Sequence, residues 1–216
     1  MGAPWRRQTI GKTRKPSGDR GPVPTGRDYP QIRFASLVEN GTHVLFGTQI
    51  ADYHTGEITL AKEVIPHLQP GMLCLADRNF FGYELWLKAH NTRADLLWRI
   101  RKNLVLPCRK RLTDGSYLSC IYPSGKDRRH DTRGVVVRVI EYRLEDVPGS
   151  KEIYRLLTTI LNPEAAPAQE LAALYCERWE IETALDELKT HLRGSRIQSR
   201  CIGTRHLTSS GKNSTV

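Results

Sequence analysis

Four residues on one stretch, Tyr175, Arg178, Glu182 and Lys189, have the types and the spacing to do chemistry. A carboxylate can hold a divalent metal. An arginine and a lysine on the same side can hold phosphate oxygens, the first as a fork and the second as a point charge. A tyrosine can stack or donate a hydrogen bond. A second acid, Asp77, directly follows the apolar run Met72-Leu73-Cys74-Leu75-Ala76. An acid at the exit of a buried strand is a site candidate, because ligands of open α/β sheets meet the carboxyl ends of strands. Capping of the following turn fits the same residue.

A helix must position the four. Leu171, Leu174, Ile181, Leu185, Leu188 and Leu192 recur at spacings that make one apolar face. At about 100° per residue the four polar residues fall within an arc of about 60° beside that face. A surface helix with ordinary ion pairs shows the same pattern, so the wheel alone leaves both readings open.

The spacing Tyr-x2-Arg-x3-Glu-x6-Lys resembles the motif of the DDE transposases of the insertion-sequence-four family. The segment Gly71-Met72-Leu73-Cys74-Leu75-Ala76-Asp77-Arg78-Asn79-Phe80 resembles the one that carries their second aspartate. The resemblance covers about residues 29–194. It implies an α/β fold, a ribonuclease-H-like mixed sheet with a β-rich insertion (about 104–152) before the last catalytic helix. It implies metal-dependent cleavage and transfer of DNA strands. Asp77 and Glu182 would be catalytic ligands of Mg²⁺ or Mn²⁺, and Tyr175, Arg178 and Lys189 would position DNA phosphates. The partners it implies are transposon ends and target DNA, bound by paired subunits, in the cytoplasm of a bacterium at its nucleoid.

One part of the family pattern has no counterpart. The first catalytic aspartate belongs upstream, on the first strand, in an Asp-Gly-Thr context. The acids upstream of Tyr29 are Asp19 and Asp28, both in Gly/Pro-rich sequence. The expectation is therefore a chain truncated at both ends, with its first strand missing, its sheet left with unpaired edges and its activity impaired. The alternative is a non-catalytic DNA-binding or inhibitory fragment, whose binding survives chelation.

Composition agrees with a polyanionic partner. Lys plus Arg number 33 against 23 Asp plus Glu, a net charge of +10, which favours nucleic acid. The five cysteines are scattered, with no CxxC or Cys/His pairing, so zinc and a disulfide framework are not indicated and a reducing compartment fits. No apolar run reaches the ~18 residues of a membrane span, so no membrane partner is expected, and the basic N-terminus lacks the apolar segment of a signal peptide.

Along the chain, residues 1–28 read as a basic Gly/Pro-rich disordered arm, 29–194 as the partial catalytic domain, and 195–216 as an irregular tail of frameshifted character. Within the domain, strands are expected at 32–38 and 43–50 around the Asn40-Gly41 turn, then at 72–76, 95–100, 116–122, 135–142 and 154–161. Helices are expected from Glu57 to the Pro70-Gly71 break, over 83–90, and from Pro167 onward. Trp98 suits either the core or base stacking. The runs Arg109-Lys110-Arg111 and Lys126 to His130 read as solvated loops that together form a phosphate-binding surface.

Overall fold

The computed structural model describes residues 6–12 (as backbone), 32–52, 54–143, 153–176 and 178. Its centre is one mixed sheet of nine strands in the order β3-β2-β1-β4-β5-β9-β8-β7-β6. The first five are β1 (Arg6–Lys12), β2 (Ile32–Glu39), β3 (Leu45–Asp52), β4 (Met72–Ala76) and β5 (Asp95–Arg99). β1 lies antiparallel to β2 and parallel to β4, and β4 lies parallel to β5. This is the ribonuclease-H-like sheet that the sequence leads one to expect.

Two expectations need correction here. The central strand is not missing: residues 6–12, read as part of a disordered arm, fill the place between β2 and β4 and hydrogen-bond on both sides. Ladder pairing from two neighbours satisfies a backbone whose side chains alone would not announce a strand. The sheet therefore does not have the unpaired inner edges that a missing strand would leave. Second, the run Lys126 to His130 is not a loop but lies in a short helix, α3 (Gly125–His130).

The β-rich insertion extends the sheet. β6 (Lys110–Arg111), β7 (Tyr117–Ile121) and β8 (Val135–Arg143) form an antiparallel series, and β9 (Ile153–Thr158) joins it to β5.

Helices cover both faces. On one side lie α1 (Glu57–Val64), continued by a 3₁₀ turn at Ile65–His67, and α2 (Tyr83–His90). On the other lies α4 (Ala168–Cys176). The period-two geometry of a strand sorts the core between them. Cys74 and Ala76 of β4 pack with α1 and α2, while Leu73 and Leu75 pack with Leu171, Leu174 and Tyr175 of α4. Trp98 belongs to the first side, fully buried and edge-on to Trp86 with ring centroids 5.3 Å apart, so its place is the core. Glu182, Lys189 and the rest of the expected long helix lie outside the described residues.

Candidate active site

Asp77 leaves the carboxyl end of β4 where the buried run Leu73 to Ala76 meets solvent, and it is half-buried. The next residues turn sharply. The Phe80 amide donates to the Asp77 carbonyl at 2.9 Å, and the Asn79 side chain donates to Asp77 Oδ2 at 3.2 Å. Phe80, 1% exposed, anchors that turn in the core. The carboxylate is thus held at a rigid strand end and remains accessible.

The motif helix reaches this strand end through Tyr175. Its hydroxyl donates to the carbonyl of Ala76, the residue immediately before Asp77, at 3.2 Å. The ring is 2% exposed and packs in the core under α4. Burial raises the phenol pKa well above its ordinary value, and the nearby Asp77 charge adds to this, while Arg178 and Arg99 oppose it. Arg178 follows in a turn, its amide donating to the Tyr175 carbonyl at 3.2 Å. Its guanidinium carbon lies 5.5 Å from the centre of the Tyr175 ring, and the residue is 3% exposed. Of the four motif residues, Tyr175 and Arg178 are brought to the Asp77 strand end; the positions of Glu182 and Lys189 lie outside the described residues.

Arg99 is the residue that sequence reasoning passed over. Ala76 pairs with Trp98, so Asp77 and Arg99 follow at neighbouring ends of parallel strands. The Arg99 guanidinium sits 4.5 Å from the centre of the Tyr154 ring, which stacks on Tyr142 at 5.4 Å. Burial raises the Tyr142 pKa, with Cys176 and Tyr175 contributing and Arg99 opposing. The available signal was position alone: a cation closing a buried strand beside the one that delivers the acid.

Among the described residues, no three His, Cys, Asp or Glu gather as a metal-binding group. Mg²⁺ is held by as few as one or two carboxylates, completed by water and substrate phosphates. Half-buried Asp77 fits that donor chemistry as one hard oxygen ligand.

The insertion carries two further polar constellations. In α3, Ser124 caps the helix by accepting from the Asp127 amide at 3.1 Å, and Asp127 also accepts from Thr132 and Arg133. The Ser124 hydroxyl, then Arg133, then Thr132 hold the Asp127 carboxyl down at about 2, against some desolvation. Nearby, Arg109 and Tyr122 both donate to Asp131. The acids of this segment are thus engaged internally, while Lys126, Arg128, Arg129 and His130 are exposed. Tyr83, the first residue of α2, donates to the Arg133 carbonyl at 2.6 Å and ties α3 to the loop that follows Asp77.

The chain matches the family model described as "Transposase DDE domain" over residues 7–207. It is 25% identical over 175 residues to transposase InsG for insertion sequence element IS4 of Escherichia coli (strain K12), an alignment covering 80% of this chain and 39% of that protein. The chain thus spans about two-fifths of the length of the curated relative it matches. Among solved structures it is similar to the piggyBac transposase synaptic complex with hairpin DNA, at 15% identity and a TM-score of 0.47, covering 87% of this chain and 41% of that one. With the family model matched over most of its length, the chain belongs to the transposase DDE-domain family.

Proposed function

We propose that this chain is a catalytic-domain unit for metal-dependent DNA strand cleavage and transfer, impaired because it lacks the first of three acids. The hydrogen bond from Tyr175 to Ala76 carries the reading, because it seats the motif helix against the strand end that presents Asp77. Asp77 and Glu182 are the metal ligands. A bound divalent cation would supply charge stabilisation at the scissile phosphate. Tyr175, buried and engaged, positions the helix, while Arg178, Arg99 and Lys189 set the positive field that receives the phosphate. DNA is the partner, gripped through its backbone by the exposed cations of α3 and β6. Two copies acting on two ends, in a bacterial cytoplasm at the nucleoid, complete the proposal.

Impairment is supported by β1. Its seven residues, RRQTIGK, contain no carboxylate, although β1 holds the central place beside β4. The same observation favours the second reading, a DNA-binding unit without catalysis.

Mn²⁺ binding separates the two. The purified chain should bind Mn²⁺, seen by the loss of its free-ion magnetic-resonance signal. Asp77→Asn and Glu182→Gln should each weaken binding by at least the ~10-fold typical of outer-shell losses. Cleavage of transposon-end DNA should be weak or absent. If neither substitution alters Mn²⁺ binding while DNA binding persists in chelator, the non-catalytic reading stands. Robust cleavage abolished by Asp77→Asn would instead remove the impairment from the proposal.

A further inference from the structure

Arg138 is a fully buried arginine in the middle of β8 that the site described above does not use. It shares the sheet face of Ile140, which packs under α4. Its Nε donates to Ser116 Oγ at 2.8 Å. Its Nη1 donates to the carbonyls of Ile160 at 3.2 Å and Ala166 at 2.8 Å, and more distantly to that of Asn162 at 3.4 Å. Its Nη2 donates to Asp114 Oδ2. That same carboxylate oxygen accepts the backbone amide of Ala168, the first residue of α4, at 2.8 Å.

A buried guanidinium is costly to desolvate, and replacing such a pair by apolar groups is often neutral or stabilising. Its geometry here does something packing cannot do. The fork fixes the carbonyls of the segment that leads into α4, and the paired carboxylate caps the helix at its first turn, where an acid is favoured by the exposed amides and the macrodipole. These contacts run from β8 and from the turn between β6 and β7, and converge on the start of the helix that carries Tyr175. Desolvation pushes the Asp114 carboxyl up, but hydrogen bonds from Ser116 and Ala168 and the Arg138 charge outweigh it, so it stays ionised.

We propose that Asp114 and Arg138 are positioning residues for the motif helix, a clamp through which the insertion sets the placement of α4 over the Asp77 strand end. The consequence for the reaction rests on the function proposed above; the placement itself does not.

The test is a distance measurement between spin labels. One label goes on Glu170→Cys, exposed on α4, and one on Asn91→Cys, exposed at the end of α2, with Cys108, Cys176 and Cys201 replaced by serine. A control pair on Glu63→Cys and Asn91→Cys reports the α1–α2 layer alone. Arg138→Met keeps side-chain volume without the fork, and Arg138→Lys keeps the charge without it. In both, the α4 distance should broaden or shift by about half a helical turn, roughly 3 Å, while the control pair stays unchanged. If Arg138→Met does not fold, Arg138→Lys still carries the measurement. An unchanged α4 distance in either folded variant overturns the clamp, as does an equal change in the control pair, which would mean a general structural role. Mn²⁺ affinity, measured alongside, should fall about tenfold in Arg138→Met. If the unsubstituted chain binds no Mn²⁺, the metal reading fails while the distance result still decides the clamp.

Discussion

At the scale of single residues, Tyr175 shows what a helical wheel can and cannot tell. Its type and spacing place it beside the apolar face, yet the structure rotates it fully into the core, where its hydroxyl meets Ala76. Phenylalanine fills the same space without that bond. Tyr175→Phe should therefore cost about 1 kcal/mol in urea unfolding, with near-ultraviolet circular dichroism otherwise retained. The cysteines give a second residue-scale expectation. Burial raises the Cys74 thiol to about 12, whereas Cys108 is exposed. A thiol-specific reagent at neutral pH should label Cys108 in the folded chain and leave Cys74 untouched until it unfolds. Asp77 was legible because a continuous apolar run ends on it. Arg99 was not, because parallel pairing of β4 with β5 is a long-range fact that no local pattern encodes.

At the scale of elements, apolar periodicity located β2, β4, α2, β5 and β8 to within a residue or two, and found β9 but ended it three residues late. It failed at β1, whose polar residues owe their strand to neighbours on both sides. It also failed at α3, although Ser124-x-x-Asp127 is a capping pattern that could have marked the start. That cap makes α3 sensitive to acid. The folded Asp127 pKa is depressed to about 2, so its contribution is complete above the ordinary carboxylate range, near pH 4, and is lost as pH falls toward 2. The Thr132 and Arg133 side-chain resonances should follow that titration, and Asp127→Asn should flatten it. In β3, Gly47 has φ +60° where the pairing with β2 shifts register between Ala35 and Leu37, and an added Cβ would lie 2.7 Å from the His67 ring. Gly47→Ala should destabilise by about 1–3 kcal/mol through backbone strain and that contact, read as a lower urea midpoint at an unchanged slope.

At the scale of the whole molecule, the net charge of +10 acts through where its cations are free to face. In α3 the one acid, Asp127, is buried, while Arg128 and Arg129 are exposed. If these reach DNA phosphates, replacing both by alanine should weaken binding to all sequences alike and reduce the salt slope by about one for each phosphate no longer neutralised. A mobility-shift series in rising salt reads this directly, and an unchanged slope would place the DNA elsewhere. The fold also has a temporal side. Tyr175 and Ala76 are 99 residues apart in sequence. At synthesis rates of about 5–20 residues per second, Asp77 leaves the ribosome roughly 5–20 s before Tyr175 does. β9, which must pair with β5 to extend the sheet, is also made in that interval. A nascent chain therefore presents its acidic strand end well before the helix that seats against it, and cannot bring the two halves of the site together until Tyr175 has been made.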